Sequence, residues 1–224
     1  MKIIWILLLL IEILIGGNPN FRLDSHSELH AQKVVYYSAF WLSRTAAFSP
    51  YESKRLLISL GYLGLLKPFN DEKWVLPDAN LAIKITNNLA LSGKIFRFSS
   101  TTDQPQVIGA GLQYFFGNKK KRSWVFSIQR VDLNGLYSFQ MKSFTFDVRK
   151  WFSWKTLLIR IGAGSNYFKQ NTYKNIEIIP SKVEGRTNYF GSDTMLDIVG
   201  LRVGMGFKIN PDRSFMSFFI QKNI

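Results

Sequence analysis

Residues 199–208 read VGLRVGMGFK, with Val199, Leu201, Val203, Met205 and Phe207 alternating against Gly200, Arg202, Gly204, Gly206 and Lys208. A two-residue period sends the two sets to opposite faces of a β-strand, whereas a helical period of 3.6 would scatter both around the axis. The same alternation recurs over most of the chain from Leu56 onward. Leu56, Ile58, Leu60 and Tyr62 oppose Ser59 and Gly61, and Leu81, Ile83 and Ile85 oppose Asn80, Ala82 and Lys84. Asn87 and Asn88 then turn the chain into Leu89, Leu91 and Ile95, opposite Ser92 and Lys94, which reads as a hairpin. Further strands are expected around Ile108–Tyr114, Trp124–Gln129, Phe144–Arg149, Leu157–Gly164 and Met216–Gln221. Val34–Leu42 reads as a weaker first strand, which brings the total to about ten.

The period by itself does not say which face is inside. A soluble sandwich or lipocalin-like barrel buries the apolar set, and a transmembrane barrel turns it toward lipid and keeps the polar set in the lumen. Three features favour the second arrangement. Several strands alternate over the 9 to 11 residues that a tilted bilayer span requires. The polar face is rich in glycine and mixes Asp147 with Arg149, Arg160 and Arg202, as a confined lumen of small residues and paired charges would. Aromatic residues gather near strand ends, at Tyr62, Trp74, Tyr114, Phe115, Phe116, Trp124, Trp151, Trp154, Tyr167 and Phe168, in the manner of interfacial girdles. The expected fold is therefore all-β, an antiparallel transmembrane β-barrel of about 8–10 strands.

The 224 residues suit one main domain. Met1 and Lys2 precede an apolar run from Ile3 to Ile15, interrupted by Glu12 and followed by Gly16, Gly17, Asn18 and Pro19. That run is too short and carries a charge too costly for a good helical span, so residues 1–17 read as a signal peptide, with an uncleaved anchor as the alternative. Residues 18–32 follow as a polar N-terminal segment and 33–224 as the barrel domain. The absence of cysteine removes disulfide, thiolate-metal and Cys-nucleophile chemistry. The net charge of +14 is spread among the strands rather than gathered on one face, which argues against a nucleic-acid partner. Its one dense cluster, Lys119, Lys120, Lys121 and Arg122, reads as a solvated turn whose functional partner would be anionic lipid headgroups.

With IGAGLQYFFG at 108–117, LLIRIGAGSNY at 157–167 and the glycine-rich strand near the end, the chain resembles small bacterial outer-membrane β-barrel proteins. That resemblance implies export to the outer membrane of a double-membraned (Gram-negative) bacterium and insertion by the barrel-assembly machinery, among outer-membrane lipids. It departs from the family at its last residues, Lys222, Asn223 and Ile224, where such proteins commonly carry an aromatic residue.

Short connectors are expected near 87–88, 117–122, 151–154 and 209–213, and longer ones at 99–105, 132–140 and 168–194. The last of these, holding Tyr173, Tyr189 and Phe190, is the expected contact for an extracellular ligand. Lys84, Lys94, Asp147, Arg149, Arg160 and Arg202 are expected to form a lumen charge network, either a salt-bridged plug or the lining of a narrow, porin-like pore. The glycine pairs lie inside strand patterns and lead into no helix, so they make room for lumen side chains and do not cradle phosphate. No cofactor fingerprint is found. His26 and His30 are the only histidines and lack the further ligands of a metal site. They are also the only bases that a barrel-based lipid-modifying enzyme would have. A structural, adhesive or narrow-pore role is therefore expected, with such an enzyme or a soluble exported binding protein as alternatives.

Overall fold

The computed structural model describes residues 19–23, 27–67, 74–100, 103–118, 121–173 and 181–224; the expected signal peptide lies outside them. Ten antiparallel strands close into a barrel. They are β1 (Leu56–Leu65), β2 (Val75–Thr86), β3 (Leu89–Arg97), β4 (Gln106–Asn118), β5 (Lys121–Asn134), β6 (Phe139–Trp154), β7 (Leu157–Thr172), β8 (Lys182–Ile198), β9 (Leu201–Asn210) and β10 (Arg213–Asn223). Each pairs with its neighbours in sequence, and β1 pairs with β10, from Leu57 opposite Asn223 to Leu65 opposite Phe215. Closure gives every strand a partner on each side, although β8 extends from Lys182 to Tyr189 beyond the last residue of β9 that pairs with it.

The alternation resolves inside out. Ile58, Leu60, Leu81, Ile83, Ile85, Leu91, Ile108, Phe144, Val148 and Met205 are exposed on the outer wall, while Ser59, Asn80, Lys84, Gln113, Gln129, Thr145 and Gln221 are buried within. Several girdle residues obey the same rule against expectation. Tyr114, Phe116, Trp124, Trp154 and Tyr167 point outward, but Trp74, Phe115, Trp151 and Phe168 are buried in the lumen. Strand ends alone do not decide direction; odd or even position does.

The main correction concerns Val34–Leu42, which is no strand. Residues Glu28–Leu42 form a helix, α1, that lies in the lumen. Ser27 caps it by accepting a hydrogen bond from the His30 N–H at 3.2 Å, and Glu28 sits in its first turn, both favourable at a helix N-terminus. Val34, Val35, Tyr36, Tyr37, Phe40 and Trp41 have strand-like composition. Because apolar wall surrounds this segment, it is buried on nearly all sides and shows no one-sided stripe. A ten-stranded barrel with strands about 4.8 Å apart tilted about 40° has a radius of about 10 Å, so once wall side chains are subtracted the lumen admits one helix about 10–12 Å across. The helix crosses residue 33, where the polar segment was expected to give way to barrel; the wall itself begins at Leu56.

The connections also sort by end. Residues 87–88, 119–120, 155–156 and 199–200 join strands at one end, and 66–74, 98–105, 135–138, 173–181 and 211–212 join them at the other. The start of β1 and the end of β10 both lie at the short-turn end. β6 runs through the expected turn at 151–154 and reverses at Lys155 and Thr156. The expected loop 168–194 is largely wall: β7 extends to Thr172 and β8 begins at Lys182, so the connector is only 173–181. β8 was hidden because its outward positions include Glu184, Arg186, Asn188 and Ser192, which weaken the apolar alternation. Val199 and Gly200, which continue the strand pattern in sequence, both adopt positive φ (52° and 77°) and make the tight turn between β8 and β9.

The lumen chain runs from one end of the barrel to the other. Near the long-connection end, Pro19 accepts a hydrogen bond from Ser100 Oγ, Leu23 N–H donates to Ser138 Oγ, and Phe21 packs on Trp74 and Phe98. At the opposite end Phe48 packs on Phe115 and Tyr51 donates to the Trp151 carbonyl at 3.0 Å. Residues 19–23 and 27–55 thus mark a path through the barrel from the long connections to the short turns before β1 begins.

Candidate functional site

The middle of the lumen is a polar layer where the C-terminal end of α1 and the extended chain after it dock onto the wall. A helix leaves its last carbonyls without intrahelical donors, and buried carbonyls must find partners elsewhere. Here the wall supplies them. Asn166 Nδ2 donates to Ala39 O at 2.8 Å, Lys208 Nζ to Phe40 O at 3.2 Å, and Gln129 Nε2 to Leu42 O and Arg44 O at 3.0 and 3.1 Å. Gln113 Nε2 and Arg160 Nη1 both donate to Ala46 O, at 2.7 and 2.9 Å. Trp41 Nε1 reaches Pro77 O at 2.9 Å. The donors sit on β4, β5, β7 and β9, so the plug is held from several sides.

Two ion clusters complete the layer. In the first, Asp78 binds Arg44 of the plug at 2.9 Å, Lys94 of the neighbouring strand, and the Asn80 amide at 2.7 Å. In the second, Arg149 binds Asp147 at 2.9 Å and Asp193 at 3.2 Å, Arg160 binds Asp193 at 2.7 Å, and the Tyr189 hydroxyl donates to Asp147 at 2.9 Å. Lys208 lies over the Tyr189 ring, 3.7 Å from its centroid, and also bonds Ser43 Oγ. A cation against the helix C-terminal carbonyls and an aromatic face is favourable on both counts. Space for the second cluster comes from missing side chains. A Cβ on Gly191 would stand 2.7 Å from the Arg149 guanidinium, and one on Gly206 would collide with Asp193.

A third contact locks the short-turn end. Glu52 binds Arg202 at 2.7 Å and accepts from Asn223 at 2.7 Å, while Lys84 Nζ donates to the Glu52 carbonyl at 2.5 Å. Burial pushes the Glu52 carboxyl up, but the Lys54 N–H, Arg202 and Asn223 outweigh it and hold it below its ordinary value.

All six residues expected in a lumen network face inward, in separate groups. Lys94 belongs to the Asp78 cluster, Asp147, Arg149 and Arg160 to the Asp193 cluster, and Lys84 and Arg202 to the Glu52 lock. Arg44, Glu52, Asp78 and Asp193 were not anticipated, and Lys208, read on the polar face, and Tyr189, read in a ligand-binding loop, were not expected in a network. Asp78 was accessible, since it continues the inward series Asn80, Ala82, Lys84. Arg44 and Glu52 become partners only once residues 27–55 enter the barrel. Of the basic turn, Lys119 and Lys120 lie outside the described residues, and Arg122 sits at the short-turn end. His30 is buried within α1, and His26 lies outside the described residues. Among the described residues no group of three or more His, Asp or Glu is arranged for a metal ion.

No protein-family model and no curated protein sequence matches the chain. Solved structures do. The translocator domain of the autotransporter NalP from Neisseria meningitidis is 9% identical, covering 85% of this chain and 93% of that one at a TM-score of 0.40. The outer-membrane protein Omp33 of Acinetobacter baumannii is 9% identical over 76% and 98%, at 0.36. The toluene transporter TbuX of Ralstonia pickettii is 6% identical over 92% and 100%, at 0.33. These likenesses are shallow, and the barrel rests on its own strand register.

Proposed function

We propose that this chain is a bacterial outer-membrane β-barrel, closed by its own N-terminal segment, with a structural or adhesive role at the cell surface. One observation carries the reading: the wall is apolar on its outside, while its inside buries a layer of charged and amide side chains beside the apolar residues that pack on the plug. A soluble barrel would place Ile83, Leu91, Ile108 and Phe144 in its core; here all four are exposed, and the lumen holds Asp, Arg, Lys and Gln side chains. Exposed apolar surface on that scale needs a lipid or protein cover, and a band of it around a closed barrel matches a bilayer. With short turns in the periplasm, the wall's two ends also lie there and the long connections face outward. Among the described residues the plug occupies the lumen, and we read this conformation as closed. The remaining space beside Arg44, Arg149, Arg160 and Lys208 is about 20 Å³, close to that of a single water molecule.

Purified protein in detergent is expected to show a β-rich circular-dichroism spectrum, a gel mobility that shifts on boiling, and no appreciable conductance in planar bilayers. A folded protein that stays monodisperse without detergent would overturn the membrane reading. A steady conductance of the intact chain would overturn the closed plug.

A further inference from the structure

On the outer wall of β5–β8, near the long connections, the register sets Arg130, Phe144, Tyr167 and Arg186 side by side. The next outward-facing row toward the rim is Asp132, Lys142, Lys169 and Glu184, again adjacent across the same strands. Together with Lys182 these rows hold five cations against two carboxylates, and four of the cations, Arg130, Lys142, Lys169 and Arg186, line an open groove of about 810 Å³ with Glu184. Both carboxylates are paired at the surface, Asp132 by both prongs of the Arg130 guanidinium. Arg130 meets Asp132 at 3.3 Å, and Glu184 meets Lys182 at 2.7 Å and Lys169 at 3.6 Å, with side chains mostly exposed; exposed pairs of this kind add little stability and yield to a competing anion. Lys142 and Arg186 enter none of these pairs.

The floor of the groove is aromatic and continues downward. Phe144 contacts Phe146 with ring centroids 4.8 Å apart, and Phe146 contacts Tyr167. Phe146 then opens a second groove of about 880 Å³, lined chiefly by Val148, Ala163, Phe190, Ile209 and Pro211. A cationic rim above a long apolar trough is complementary to one kind of molecule, an amphiphile with an anionic head and hydrocarbon tails. Arg and Lys together suit phosphate, Arg through its planar fork and Lys as a point charge.

We propose that this face of β5–β8 is a binding site for a membrane lipid with a phosphate headgroup, its phosphate held among Arg130, Lys142, Lys169 and Arg186 and an acyl chain lying along Phe144, Phe146 and Phe190. The site rests on the membrane reading above. It lies at the opposite end of the barrel from the basic turn at 119–122, and none of its cations contacts the plug.

The test uses the full chain in mild detergent, titrated with phosphatidic acid bearing a fluorescent tail and with the phosphatidylcholine of the same tails. Wild type should bind the phosphate-monoester lipid at least tenfold more tightly. The double variant Arg130→Gln/Arg186→Gln should lose that preference, whereas Lys150→Gln, on the outer wall near the short turns, should keep it. Equal affinity for both lipids, or full preference in the double variant, overturns the site. Displacement by inorganic phosphate at the lipid's own concentration would show an anion site with no acyl component and overturns it too. Insertion into pure phosphatidylcholine vesicles separates the two readings. If wild type and double variant insert alike, a missing preference counts against the lipid site alone; if the folded wild type stays outside the vesicles, the membrane reading fails and the site with it.

Discussion

Replacing Asp78 with asparagine removes one charge and almost no volume from the place where plug meets wall. Asp78 is the shared partner of Arg44 and Lys94, and the side chains of the three are 2%, 9% and 4% exposed, so water cannot take the carboxylate's place. Breaking a buried pair from one side costs about 3–5 kcal/mol, whereas replacing all its members by apolar residues of similar size is often neutral or stabilising. At about 2–4 °C per kcal/mol for a chain of this size, Asp78→Asn should lower the midpoint of heat-induced gel-shift by about 6–20 °C. The triple variant Asp78→Leu/Arg44→Met/Lys94→Met should recover most of that loss. Because Arg44 belongs to the plug and Asp78 to the wall, the single variant should also admit intermittent conductance in planar bilayers that wild type lacks. A midpoint within two or three degrees of wild type for Asp78→Asn, or a triple variant worse than the single, would refute the idea that this buried charge is compensated by its two cations.

Three further outcomes follow from the geometry. Single cysteines at Leu112 and Gln113, adjacent but on opposite faces, should report lipid and lumen respectively, so a fluorophore at 112 is quenched by brominated acyl chains and one at 113 is not; equal quenching would contradict the assigned faces. Glu52 is held below its ordinary value of 4.5, so its lock with Arg202 and Asn223 stabilises the barrel fully above that value and is lost as pH falls through the lowered one. Thermal midpoints should therefore drop in acid, and Glu52→Gln should flatten this part of the profile while lowering the midpoint at neutral pH; an unchanged acid slope in that variant would remove Glu52 as its source. Gly191→Ala drives a methyl into the Arg149 guanidinium, which Asp147 and Asp193 hold in place, and should cost about 1–3 kcal/mol, read as a drop in the same gel-shift midpoint; an unperturbed midpoint would show that Arg149 can move aside freely.

The wall was legible in the sequence because its signal is local. Alternation over Leu56–Tyr62, Leu81–Ile85, Ile108–Tyr114 or Leu201–Phe207 needs no knowledge of distant residues, and polar inward positions such as Asn80, Gln113 and Asp147 follow from the same count. Two errors in the wall cancelled: a helix was taken for the first strand, and β8 was taken for a loop, so the total of about ten agreed with the ten strands observed. Both errors arose where local composition and environment disagree. β8 carries charge on its outer face near the rim, and α1 is rich in β-branched and aromatic residues because it is surrounded by wall.

By itself, then, the sequence determined that the chain forms long amphipathic strands with charge on the face opposite the apolar residues, since the β-strand period is a property of neighbouring residues. Only the tertiary structure decided that residues 27–55 enter the lumen, that Arg44 meets Asp78 and Lys208 meets Phe40, and that Arg130, Lys142, Lys169 and Arg186 share one patch of outer wall. Those contacts join residues from 34 to 168 positions apart, or depend on the register of four strands, and closure of the barrel is what brings them within reach.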